Sequence, residues 1–173
     1  MKKFVLSLSG LAMLLAIAGC SQETVEPTET ASVDGSKFQL SSEPNGALNV
    51  IQAREDAEDG KDVVLMGRIG GGANPWIDGL AAFTIVDDSL RACSDIPGDS
   101  CKKPWDYCCE TPKLPTSTAL VKVVDEDGEL VKADASELLG VKELSSVVVQ
   151  GTAERDDDGN LTVLASGIFV KKK

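Results

Sequence analysis

The chain has 173 residues, with 28 Asp or Glu against 17 Lys or Arg and a formal net charge of −11 at pH 7. A surface this acidic repels phosphate backbones, because nucleic-acid binding rests on Lys and Arg neutralising phosphates. The chain contains no histidine, which removes imidazole acid–base catalysis, Ser-His and Cys-His nucleophilic pairs and imidazole metal ligation.

Residues 1–19 open on the cationic Met1-Lys2-Lys3 and continue as an apolar run from Phe4 to Ala18, broken by Ser7, Ser9 and Gly10. At about 15 residues the run is short for a bilayer span and suits the apolar region of a cleaved export signal. It ends in Ile17-Ala18-Gly19-Cys20, which resembles the lipobox of bacterial lipoproteins. That resemblance implies cleavage before Cys20 and a diacylglycerol group on its thiol, with Ser21 allowing sorting to the outer membrane. The expected location is the cell envelope, facing the periplasm or the exterior, with the lipid membrane as first partner. Burial of acyl chains is worth about 0.8 kcal/mol per CH₂, so several chains hold a soluble domain firmly. Cleavage would remove Lys2 and Lys3 but no acid, taking the net charge from −11 to −13.

Residues 20–37 read as the lipidated cysteine followed by a disordered acidic tether, polar and nearly free of large apolar side chains. The rest, 38–173, suits a single domain with one modest core. Ser42-Glu43-Pro44 predicts a helix start with Ser42 as N-cap, and Asp59-Gly60 its end. Residues 62–69 alternate as a strand with Val63, Leu65, Gly67 and Ile69 on one face. Residues 80–86 place Ala81, Phe83 and Ile85 on a face, and residues 119–125 do so with Val121 and Val123. Asp134 and Glu137 read as a capping box for a short helix stopped by Gly140. The last two strands, 147–154 and 161–170, are joined by the turn Asp156-Asp157-Asp158-Gly159-Asn160.

The chain is therefore expected to be mainly β: a five-stranded Greek-key barrel of OB-fold type, with a short helix between the third and fourth strands and an N-terminal helix. Val64…Gly67-Arg68-Ile69, Ala82-Phe83…Val86-Asp87 and Val147-Val148-Val149-Gln150-Gly151-Thr152 resemble the anticodon-binding type of OB domain. The family's nucleic-acid contacts do not carry over. OB-folds bind through the second and third strands and the loops joining strands 1–2 and 4–5, and here the last of those loops is Asp156-Asp157-Asp158.

Residues 91–113 stand apart. They hold Cys93, Cys101, Cys108 and Cys109 among Pro97, Pro104 and Pro112, with Trp105 and Tyr107 between. A connection this long is usually functional or needs fastening. Its Pro104-Trp105-Asp106-Tyr107-Cys108-Cys109-Glu110 string resembles a signature of uncharacterised secreted bacterial proteins, a likeness that implies no activity. Outside the cytoplasm four cysteines ordinarily mean two disulfides, and all three pairings are open, the vicinal one being strained. Each closed loop would stabilise by about 2–4 kcal/mol. The alternatives are a thiolate site for Zn²⁺ or Cu(I), though the spacing lacks paired C-x₂-C knuckles, and a redox dithiol, though there is no C-x-x-C.

Two further features bear on binding. Gly70-Gly71-Gly72-Ala73-Asn74-Pro75-Trp76 lacks the ending of a P-loop and reads as a flexible or bulged connection. In an OB-fold it borders the ligand face, which makes Trp76, Trp105 and Tyr107 a candidate aromatic binding patch. The acidic runs Asp87-Asp88, Asp125-Glu126-Asp127 and Asp156-Asp157-Asp158 match no EF-hand loop and fall where turns want Asp. The expected function is a non-enzymatic binding or assembly module with no cofactor, partnering an envelope protein or ligand and no nucleic acid. A metal-binding or redox protein using the four cysteines is the alternative.

Overall fold

The computed structural model describes residues 33–172. The expected export signal, Cys20 and most of the expected tether lie outside the described residues. The end of the expected tether does not. Gly35–Phe38 form a 3-10 turn capped by Asp34, whose side chain accepts the Ser36 N–H. Phe38 is buried in the core, and the Leu40 N–H donates to the Ile168 carbonyl at 2.9 Å. The domain thus begins about four residues earlier than the polar composition suggested, because one aromatic side chain pins the stretch before it.

The expected helix from Ser42 is displaced. Residues 41–47 form turns, and the helix α1 spans Val50–Asp56. Its N-cap is Asn49, whose side chain accepts the Gln52 N–H at 2.8 Å and satisfies a donor that a helix start leaves open. Just before it, Leu48–Asn49 (β1) pairs in parallel with β2, which spans Asp62–Ile69.

Strand β2 follows its sequence pattern residue by residue: Val63, Leu65, Gly67 and Ile69 are buried, while Val64, Met66 and Arg68 are only partly so. It pairs antiparallel with β3, Ala82–Val86, and along most of its other edge with β5, Ser146–Arg155. Strand β3 pairs with β4, Thr118–Val123, which runs parallel to β6, Leu161–Val170. Strand β6 then pairs antiparallel with β5. The order β2-β3-β4-β6-β5 closes back onto β2 through the β2–β5 ladder, with β1 as a sixth strand on the rim. This is the expected OB-type barrel. Closure leaves the five strands without a free edge.

The barrel is filled by Leu65, Phe83, Ile85, Val121, Val149, Val163 and Ile168, none of which reaches solvent. A bulge at Gln150/Gly151 lets β5 turn the corner between β2 and β6. Gly151 is obligatory there, since a Cβ would sit 2.0 Å from the Leu164 carbonyl oxygen. Between β4 and β5, Ala135–Leu139 form α2 and stop at Gly140, whose φ is +63°. The capping box expected there does not form. Asp134 turns its carboxylate to the Gly79 N–H at 2.8 Å instead, so it ties the β2–β3 loop to the helix. Among the described residues, no helix is long and apolar enough to cross a membrane.

Candidate functional site

Between β3 and β4 the chain leaves the barrel for residues 87–117 and folds back over its outside. The seat is a second, smaller apolar cluster, in which Val86, Leu90, Ala92 and Tyr107 are buried against Leu114 and Leu144. Tyr107 is the anchor. Its side chain is wholly buried, and a Cβ on Gly70 would lie 2.6 Å from its ring carbon Cε2. The glycine-rich loop is therefore a docking surface for the insertion, where sequence suggested a flexible connection. A few residues on, the Ala73 carbonyl accepts from Lys103 Nζ at 3.2 Å and from Trp105 Nε1 at 3.3 Å.

A third tie is ionic. Arg68 on β2 donates to the Asp95 carboxylate at 2.6 Å, and the same carboxylate oxygen accepts the Ala92 N–H at 3.0 Å. Within the insertion, the Cys93 N–H bonds the Asp106 carbonyl and the Ser94 N–H the Pro104 carbonyl, both at 2.8 Å. Those bonds zip residues 93–94 to residues 104–106. Leu144 completes the seat from the far side with φ +62°, a backbone state that costs a bulky residue of order 1–3 kcal/mol.

The zipper and the turns at either end bring three cysteines together. Cys93 lies in the 3-10 turn Cys93–Asp95, and Cys108 opens the 3-10 turn Cys108–Lys113. Cys93 Sγ is 3.3 Å from Cys108 Sγ, and the sulfurs of Cys93, Cys101 and Cys108 all lie within 4.8 Å of one another. Cys109, next in the turn, directs its thiol to Asp99 at 3.8 Å. All four thiols are free. Three of the four sulfurs thus gather at one place, with Cys109 directed away from it.

Ionisation follows position. Burial, with the Cys108 and Cys101 thiols beside it, pushes Cys93 up to about 12. At Cys108 the Cys93 thiol favours the thiolate, but desolvation and the thiols of Cys109 and Cys101 outweigh it, so its pKa is also raised. Cys93 and Cys108 are therefore held as thiols at pH 7.

The aromatic patch does not form as expected. Tyr107 is buried, and its hydroxyl has no hydrogen-bond partner among the described residues; desolvation first of all pushes it up to about 12. Trp76 packs on Phe83, with centroids 6.0 Å apart, and donates Nε1–H to Glu143 at 3.0 Å. Trp105 is only half-buried and is held by Ala73. The three serve closure and docking: Trp76 packs on the barrel core, Tyr107 in the second apolar cluster and Trp105 at the Ala73 carbonyl. A groove of about 920 Å³ bordered by Pro44, Leu48, Asp56, Val63 and Gln150 includes none of them.

The acidic runs do turn chemistry. Asp125 Oδ1 accepts the Asp127 and Glu129 N–H groups, and Asp156 Oδ1 those of Asp158 and Asn160. Asp87, almost fully buried, accepts the Ile51 N–H of α1 at 3.0 Å and both donors of Ser89. Sequence reasoning found the cysteines but missed Arg68, Asp95, Gly70 and Leu144, which hold them. Of these only Gly70 left a trace, in the triple glycine.

The strand order defines an OB-type barrel carrying a cysteine-bearing insertion. No family model matches the chain, and no curated relative does. Among solved structures it is similar to the hypothetical protein ygiW from E. coli, at 16% identity and a TM-score of 0.39, covering 75% of this chain and 96% of that one. It is also similar to a putative aspartyl-tRNA synthetase from Leishmania major Friedlin, at 12% identity and a TM-score of 0.37, covering 76% of this chain and 21% of that one. The fold assignment rests on the strand order and not on these two likenesses.

Proposed function

We propose that this protein is a lipid-anchored lipoprotein of the bacterial cell envelope, a non-enzymatic binding module that works through the insertion on its barrel. The observation that carries the reading is where reactive groups gather. The barrel interior is packed with aliphatic and aromatic side chains, and its buried carboxylate, Asp87, is engaged by backbone N–H groups and Ser89. The free thiols gather instead on the insertion at the outside. The anchor rests on Ile17-Ala18-Gly19-Cys20, followed by a polar stretch long enough to hold the domain clear of the bilayer. The acidic balance and the Asp156–Asp158 loop argue against a nucleic-acid ligand.

The anchor is tested by expressing the full chain in a diderm bacterium with a clickable fatty acid. Label on the wild type, its loss in Cys20→Ser, and accumulation of the uncleaved precursor in that variant are expected. A Cys20→Ser chain processed to the same mass and found in the same fraction as wild type would sink the reading.

A further inference from the structure

We propose that Cys93, Cys101 and Cys108 form a three-thiolate site for a soft monovalent cation, Cu(I). The proposal rests on reading the insertion as the functional face, and is independent of the lipid anchor.

Geometry is the first argument. A metal at the centre of three sulfurs with bonds of about 2.3 Å holds them about 4 Å apart. The three sulfurs here lie within 4.8 Å of one another, with the Cys93–Cys108 pair, at 3.3 Å, closer than a bound metal would hold it. A turn of the exposed Cys108 side chain, with a small shift of Cys101, satisfies a trigonal site. A disulfide would instead draw one pair to about 2.05 Å and leave the third thiol stranded beside it.

Preorganisation is the second. Cys93 is fixed by its N–H bond to Asp106, and its turn is fixed to the barrel through Asp95 and Arg68. Cys108 follows directly on Tyr107, the most deeply seated residue of the insertion. Two of the three ligands therefore stand on rigid backbone, while Cys101 lies in the looser stretch that can close over a cation. The missing C-x₂-C spacing is no objection, because the ligands meet across a zipped loop and not along a knuckle.

Softness and number select the ion. Thiolates favour Cu(I) among envelope metals, and three of them suit its trigonal coordination. Zn²⁺ asks for a fourth ligand, but Cys109 is turned to Asp99. Binding transfers no electron. Three S–H protons pass to solvent as three Cu–S bonds form, and copper enters and remains as Cu(I). Because binding releases thiol protons, uptake weakens as pH falls.

The test is titration of the full chain, reduced and anaerobic in detergent, with Cu(I) against the chromophoric chelator bathocuproine disulfonate. One copper per chain, with near-ultraviolet thiolate-to-copper absorbance, is expected. Cys101→Ser and Cys108→Ser replace ligands outside the buried core, and each should weaken binding by more than the roughly 10–100-fold that an outer partner costs. Circular dichroism matching wild type shows that these variants fold. Cys109→Ser and Cys20→Ala should bind like wild type. Failure of the reduced chain to compete for copper overturns the proposal, as does undiminished binding by Cys101→Ser. Equal losses in Cys109→Ser and Cys108→Ser would make the site four-thiolate and overturn the trigonal Cu(I) assignment. So would a Cys93–Cys108 disulfide found by non-reducing mass analysis of the chain alkylated in its native envelope.

Discussion

In the barrel, a strand such as Asp62–Ile69 buries every second side chain, and each buried residue is backed by neighbours on the facing strands. Over residues 87–117 the chain buries Asp87 and Ser117 at its ends and, between them, only Leu90, Ala92, Cys93 and Tyr107. The insertion is held by the small apolar cluster around Tyr107, one ion pair, the Ala73 carbonyl and the Asp87 bond to α1. The barrel is stable through redundancy, whereas the insertion hangs on a few contacts that can each be cut. Its cysteines are consequently placed by an element able to loosen without unfolding the domain.

The sharpest way to break this comparison is one aromatic deletion on each side. Phe83→Ala empties the middle of the barrel and should lower global stability by about 3–5 kcal/mol, read as a shifted denaturant midpoint. Tyr107→Ala removes comparable volume, but its loss should fall on the insertion. Cys93, now shielded, should react with a thiol reagent many times faster while amide exchange in β2 and β5 stays slow. If Tyr107→Ala unfolds the barrel as Phe83→Ala does, the two regions are one cooperative unit and the contrast fails. Tyr107→Phe is the matching control. It keeps the ring and deletes a buried hydroxyl that has no partner among the described residues, so stability should hold or rise slightly, by up to about 1 kcal/mol.

Next in size is the seat itself. Gly70→Ala forces a methyl against the Tyr107 ring, an overpacking that costs about 1–3 kcal/mol. Pairing it with Tyr107→Ala should recover most of that loss, because the ring that made the clash is gone. Additive losses in the double variant would mean that Gly70 matters for some other reason.

What was legible in the sequence follows the same division. Period-two alternation placed β2 to its observed ends and the other barrel strands nearly so, because a closed sheet buries one face of every strand and each residue reports its own side. The helix at Ser42 went wrong because Asn49 outcompeted it as a cap, a choice made by where β1 meets β2 and not by local propensity. The capping box at Asp134 failed for a similar reason: Gly79, distant in sequence, offered an N–H. In the insertion the residue types were legible and their arrangement was not. Compartment and cysteine count favour disulfides over any single shared point. The convergence of Cys93, Cys101 and Cys108 comes from hydrogen bonds at Asp106 and Pro104 and from a glycine under Tyr107, none of which has a periodic signature.

The smallest expected effect lies where the two regions join. Asp87 follows directly on β3 and reaches across to the start of α1. Burial raises its pKa, but the N–H groups of Ile51, Ser89 and Val50 and the Ser89 hydroxyl outweigh that, and the carboxyl titrates below its usual 3.8. A carboxyl whose pKa is depressed by folding stabilises the native state above the unfolded value and loses that contribution as pH falls through the folded one. Asp87→Asn should therefore cost about 1 kcal/mol at neutral pH, with the gap to wild type narrowing below pH 3.8 and closing once the native carboxyl is protonated. Urea midpoints for both chains between pH 2.5 and 7 measure this. A constant gap across that range would show that the side chain acts by shape alone. A gap that closes would show that the charge on Asp87 is what ties the insertion's first residues to α1.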